Sequence, residues 1–285
     1  MWLLTGKTLY FFTVLLSGSG SLTKLEMLLQ VEAEERLSSN IGSLMQGVLM
    51  QRIDPVYGEY LHRSVLKPYS QYVSVQPSEV KWTLHTLTEQ AETELIHPLL
   101  SGNFHTIHLE KKKISMKVLS KTVTCLTEEQ LLEQTFFAVC PRKLRVNFVT
   151  PCSFKRQGVY QIFPSVRLIF QSLVNKFDAA SESNAVSYPE LLDDLESNVM
   201  ITGYRLHSTS FGVEGVKNPA YQGSLSLKLL GPQQLVNLVH MLLRFGTYSG
   251  VGIKTAMGMG AFQIAERNVL HEGRSIQAHN GGFAP

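Results

Sequence analysis

Two stretches of this chain carry the same succession of apolar patterns, and a repeated succession restricts the fold more than any single segment does. In the first stretch, the alternation of Leu25, Met27, Leu29 and Val31 marks a strand over 25–33. A helix follows, capped near Ser38 or Ser39, with Ile41, Leu44, Met45, Val48, Leu49 and Ile53 at helical spacing. Strands over 68–75 and 82–87 flank a turn around Pro77-Ser78. A helix over 89–100 stops before Gly102, and a strand over 104–109 runs into the basic Lys111-Lys112-Lys113. The second stretch repeats the order with a strand over 144–149 and a helix over 166–177 built on Val166, Ile169, Phe170, Leu173 and Val174. A polar insert at 179–187 and a helical piece at 189–196 come next. Strands over 200–206 and 224–230 then surround a loop with Gly212, Gly215 and Pro219, before an apolar helix over 233–245 and a last strand over 261–265.

Each stretch reads β-α-β-β-α-β, so the expected fold is α+β, two tandem ferredoxin-like domains over 24–140 and 141–267. The 285 residues and their 44% hydrophobic content are enough for two cores. Residues 1–23 are expected as an N-terminal extension outside the fold: their apolar run is shorter than the roughly 20 residues of a membrane span, and Lys7 sits inside it, where a secretory signal would carry its charge ahead. Residues 268–285 read as a disordered tail. Cys125, Cys140 and Cys152 show no CxxC spacing, which argues against a zinc site or disulfide framework and fits a reducing cytoplasm. The net charge of +3 requires any polyanion partner to be met by local basic patches.

The densest local signal is GTYSGVGIKTAMGMG, with Gly246, Gly250, Gly252, Gly258 and Gly260 around Lys254 and Thr255. Glycines that expose backbone N–H groups, with a lysine among them, suit a phosphate or nucleic-acid cradle. A connector with tight turns explains the same residues, and the spacing is not that of a P-loop.

Three segments resemble one family: LHRSVLKPYS (61–70), NFVTPCSFKRQGVYQIFPSVRLIFQSL (147–173) and FGTYSGVGIKTAMGMG (245–260). Together they are similar to the CRISPR repeat-processing endoribonucleases, the sixth of the numbered CRISPR-associated proteins, and look closest to those serving type III-A systems. The resemblance covers most of residues 25–267. It implies two ferredoxin-like domains, metal-independent cleavage of the repeat in a precursor transcript with no cofactor, and a glycine-rich loop that contacts RNA. It implies CRISPR repeat RNA as partner, with transient association with a type III-A effector complex and homodimerisation both compatible. His62 falls where the family carries its catalytic histidine. A tyrosine that assists catalysis in some members is matched here by Met50, leaving Tyr57, Tyr60 or Tyr69 as substitutes with open roles.

RNA supplies its own nucleophile, the 2′-OH. Cleavage then needs proton transfers, which suit a histidine, and charge stabilisation, which suits a lysine. His62, read as lying in a loop after the first helix, and Lys67, five residues on, are the catalytic candidates, against the plainer reading of a surface histidine and lysine. Tyr57 and Tyr60 are candidates for catalytic support. Lys155, Arg156 and Arg167, with Gly250, Gly252, Lys254, Thr255, Gly258 and Gly260, are the candidate RNA contacts, and Arg142, Lys143 and Arg145 are placed to track phosphates. Lys111 to Lys113 read as plain surface. His105 and His108 sit three apart on a strand and so point to opposite faces, a poor metal pair, and no acidic cluster suggests a two-metal nuclease. A non-catalytic RNA-binding subunit of a CRISPR effector complex is the alternative; a metal-dependent or small-molecule enzyme lacks the ligand clusters it would need.

Overall fold

In a computed structural model, residues 21–32, 37–76, 79–181, 185–213 and 215–265 are described. The expected extension up to residue 20, the turn at Pro77-Ser78 and the tail from residue 266 lie outside the described residues. Strand β1 (Ser21–Glu32) begins inside the stretch expected as extension. Leu22 is buried there, and Thr23 Oγ1 donates to Glu92 Oε2 at 2.7 Å.

A 3-10 turn (Ser39–Ile41) leads into helix α1 (Gly42–Met50). A second helix, α2 (Pro55–Arg63), stands where a loop was expected. Its start is written in the sequence: Asp54 Oδ1 accepts from the amides of Val56 and Tyr57, and Pro55 occupies the first helical position. Strands β2 (Tyr69–Val75) and β3 (Glu79–Thr86) follow as expected. The helical run α3 over 89–100 opens under a Thr88 cap and contains a π-helical turn, Glu92–Ile96. Short strand β4 (Thr106–Leu109) pairs with the long β5 (Ile114–Thr127).

The first sheet has the order β2-β3-β1-β5-β4, with all neighbours antiparallel. Thus β5, and not the expected 104–109 strand, takes the fourth position of the ferredoxin-like unit beside β1. A bulge offsets β5 at Leu119: Leu28 pairs with Ser120 while Leu29 pairs with Val118.

After helix α4 (Glu128–Gln134), opened by a capping box between Thr127 and Gln130, the second unit begins with β6 (Lys143–Cys152). The hairpin β7 (Phe154–Arg156) and β8 (Val159–Gln161) precedes helices α5 (Val166–Ala180) and α6 (Leu191–Asn198). The expected loop with Gly212 and Pro219 is instead the far half of a long hairpin, β9 (Val199–Val213) and β10 (Val216–Leu229). Helix α7 (Gln233–Ser249) and strand β11 (Phe262–Ala265) close the unit in the order β11-β6-β10-β9. The chain is therefore α+β with two ferredoxin-like units.

The two units share their interiors. Leu22, Leu87 and Leu126 of the first unit belong to the apolar core around α5 and α7, while Ala256, after α7, belongs to the core beneath the first sheet. Among the described residues, no helix is long and apolar enough to cross a membrane.

Candidate functional site

Helix α2 is anchored by Tyr57 and Leu61, both buried, and this leaves His62 exposed in its last turn. His62 has no hydrogen-bond partner among the described residues. Lys67 curls back over the helix end and donates to the carbonyls of Leu61 and Ser64, each at 2.5 Å. Those carbonyls carry the negative end of the helix dipole, so the ammonium closes α2 as a cap. Burial lowers the Lys67 pKa from its ordinary value. His62 and Lys67 are thus brought to one helix end, on a turn that Lys67 itself braces.

The tyrosines divide. Tyr57 stacks on Tyr60 with ring centroids 5.5 Å apart, and its hydroxyl is buried without a partner. Burial raises its pKa well above the usual tyrosine value, with Tyr60 and Glu94 adding to the effect. Tyr57 is therefore an anchor of α2, not a group open to a reacting phosphate. Tyr60 is exposed and lines a groove of about 520 Å³ together with Lys67, the start of α3 and the end of α5. Tyr69 is buried, its hydroxyl accepting from Gln46 Nε2 at 3.3 Å, and Met50 packs against the core of the first unit.

The glycine-rich segment is built in the opposite sense to the one expected. The amides of its four late glycines are spent inside the protein: Gly250 donates to Gly246 O, Gly252 to Ser172 Oγ, Gly258 to Thr255 O and Gly260 to Pro151 O. Gly260 and Gly252 hold positive φ, and a Cβ there would stand 1.9 Å from Val251 O and 2.3 Å from Ser153 O. These glycines let backbones touch and do not bare N–H groups. Among the described residues, the loop amides left without an acceptor are those of Lys254, Thr255 and Ala256. They surround Lys254, whose φ of 56° is left-handed, at the mouth of the 3-10 turn Thr255–Met257. A left-handed residue followed by a right-handed one makes the concave array of amides that favours anions. The amides that face outward are therefore those of residues 254–256 and not those of the glycines.

Of the basic candidates, Lys155 and Arg156 lie exposed on the β7–β8 hairpin, and Lys155 Nζ sits 5.5 Å from the Tyr160 ring centroid. The Tyr160 hydroxyl donates to Asn218 Oδ1 at 2.9 Å, which fixes the hairpin on β10. Arg167 makes exposed ion pairs between α5 and α6: its Nη1 is 2.6 Å from Asp193 Oδ1 and 3.1 Å from Glu196 Oε2.

Arg142, Lys143 and Arg145 line a groove of about 1590 Å³ between the two units, together with Lys24, Lys228 and Arg244. Glu26 is the only carboxylate lining it among the described residues, and it is paired with Lys24 and Lys81. Lys24, Lys228 and Arg244 escaped the sequence reading, although Lys24 stands opposite the apolar face of β1. His85, between the rings of Tyr72 and Tyr248, is buried at the groove's edge. Burial first, and then the Lys24 charge, push its pKa down to about 3, so it stays neutral. Among the described residues, no three His, Cys, Asp or Glu side chains converge as a metal site requires.

The family model for the CRISPR-associated endoribonuclease Cas6 matches residues 146–262, from β6 to β11. A CRISPR-associated endoribonuclease Cas6 of Streptococcus thermophilus is 36% identical over 227 residues, covering 78% of this chain and 90% of that protein. The protein of that name from Mycobacterium tuberculosis is 31% identical over 246 residues, covering 85% of this chain and 78% of its own length. Among solved structures, a Cas6 product complex superposes with a TM-score of 0.71 at 20% identity, over 86% of this chain and all of that one. Thermus thermophilus Cas6 does so with a TM-score of 0.66 at 22% identity, over 87% of this chain and all of that one.

Proposed function

The chain belongs to the CRISPR-associated endoribonuclease Cas6 family, and from that premise we propose that it cuts the repeat of a CRISPR precursor RNA without a metal ion. In this reading the 2′-OH beside the cut loses its proton and its oxygen bonds to phosphorus. The P–O5′ bond breaks, and the departing 5′-oxygen takes up a proton. The products are a 2′,3′-cyclic phosphate and a 5′-OH end. His62 is the group that moves these protons. Lys67 spends two N–H bonds on Leu61 O and Ser64 O and keeps its third for a phosphorane oxygen.

The observation that carries this reading is the exposed His62, without a hydrogen-bond partner among the described residues, and the braced Lys67 at the same end of α2. The basic groove and the amides around Lys254 supply contacts to the RNA backbone. The type III-A assignment and a transient association with its effector complex rest on the sequence resemblance. The test is incubation with repeat RNA from the same locus in the presence of EDTA. Cleavage with a 5′-OH downstream product supports the proposal; a 5′-phosphate, or dependence on a divalent ion, overturns it. Binding without any cleavage would favour the alternative, a non-catalytic RNA-binding subunit.

A further inference from the structure

Among the described residues, Lys176 near the end of α5 is the only buried Lys, Arg, Asp or Glu. Its Nζ donates to Ser249 O at 3.2 Å, to Gly250 O at 3.1 Å and to Thr255 Oγ1 at 3.1 Å. All three acceptors are uncharged, and among the described residues no carboxylate reaches the ammonium. Burying a cation without a counter-charge is costly, and that cost shows in a pKa lowered by desolvation to about 7. A methionine would fill similar space at less expense of solvation. The cation is therefore accounted for by what it holds.

What it holds is one flank of a strained residue. Lys254 is left-handed, a conformation that costs a non-glycine residue free energy and persists only where its surroundings impose it. On one side, Lys176 joins the end of α7 to Thr255. On the other, Gln71 Nε2 of β2 holds Ala256 O at 3.0 Å. The only unpaired amides of the loop among the described residues lie between these two clamps.

We propose that Lys176 is a positioning residue for RNA binding: through Ser249, Gly250 and Thr255 it keeps Lys254 left-handed, so that the Lys254 ammonium and the amides of residues 254–256 meet one phosphate together. This rests on the reading of the loop as an RNA contact. Lys176 acts through the loop: its ammonium is spent on Ser249, Gly250 and Thr255, although the residue also borders the groove lined by Tyr60 and Lys67.

The experiment measures repeat-RNA affinity at one ionic strength, and single-turnover cleavage, for the full-length wild type, Lys176→Met, Lys254→Ala and the double variant. Each single variant weakens binding roughly three- to tenfold, the worth of a phosphate contact. The double variant is no weaker than the worse single one. For Lys176→Met the loss of cleavage rate shows at subsaturating protein and is recovered at saturating protein, because His62 on α2 and Lys67 on the turn that closes it are not part of the loop. A residue that merely stabilised the fold would lower the rate at saturation along with affinity. Multiplicative losses in the double variant, or a Lys176→Met protein that binds like wild type, overturn the proposal. A Lys254→Ala protein that binds like wild type overturns the loop reading itself. Thr255→Val removes one acceptor while keeping the shape and decides the matter should Lys176→Met not fold: a loss of about twofold is expected, and unchanged affinity overturns the proposal.

Discussion

Gln71 on β2 and Ala256 in the glycine-rich loop are joined by a 3.0 Å hydrogen bond across the two units. The same buried side chain donates to Gly42 O at 2.6 Å and accepts from Trp82 Nε1 at 2.6 Å. One amide thus ties β2, β3, α1 and the loop together.

Replacing Gln71 by Met keeps the volume, strands Trp82 Nε1 and Ala256 O, and takes one of two donors from Gly42 O, which opens α1. Each unpaired group costs about 1–3 kcal/mol. Urea unfolding is expected to show a loss of about 3 kcal/mol or more, and RNA affinity should fall with it because the loop loses its clamp on the first unit. A loss below about 1 kcal/mol would mean that the network does not hold the units together.

Glycine positions sort by what surrounds them. Gly260→Ala drives a Cβ to 1.9 Å from Val251 O at a φ of +70°, and is expected to leave little soluble protein. Gly47 stands exposed inside α1 with nothing within 4 Å of an added Cβ, so Gly47→Ala should raise stability by up to about 1 kcal/mol. Thermal unfolding of the two variants in parallel checks both signs.

His62→Ala should lower the single-turnover cleavage rate by roughly 10²–10⁴, the usual worth of a positioned acid or base, with affinity little changed. Lys67→Ala should slow cleavage less. It should also fray the end of α2, at about 1 kcal/mol. Hydrogen exchange at the amides of residues 60–64 reads the fraying separately from the chemistry. A wild-type rate in His62→Ala would remove the histidine from the mechanism.

Lys176 makes stability depend on pH in a definite direction. Its folded pKa, about 7, lies below the ordinary lysine value of 10.5. Between those two values the unfolded chain binds the extra proton, so stability rises with pH across that window and is flat below it. Relative to Lys176→Met, in which this titration is absent, the wild type should gain about 2–3 kcal/mol between pH 6 and pH 9. Urea unfolding of both proteins at the two pH values measures the difference. Equal pH dependence would show that the lysine is solvated.

The β-α-β-β-α-β order was legible because β1, α1 and α5 each bury one regular face, and a regular face leaves a period in the sequence. Strand β5 left none: most of its length is solvent-exposed and the bulge at Leu119 breaks its alternation. The outer half of the β9–β10 hairpin was hidden by Gly212, Gly215 and Pro219, residues that signal turns unless long-range pairing overrides them. Helix α2 is short and polar, and its Asp54-Pro55 start was the available clue. At the site, His62 was expected in a loop and stands in the last turn of α2. The pairing of Arg167 with α6 could not be read locally, since it depends on a neighbour more than twenty residues away. Lys176 had a signal: it continues the apolar row of Ile169 and Leu173 on α5, where a lysine is out of character.

The exchange of core residues between the units has a mechanical consequence. Leu22, Leu87 and Leu126 are built into the second interior and Ala256 into the first, so neither unit can swing away without opening both. The basic groove between them is therefore expected to act as a caliper with fixed jaws, its spacing set by the shared cores and not by a ligand. The same interlocking forbids dividing the chain at the junction near residue 140, since each fragment would expose the apolar surface that the other was made to cover.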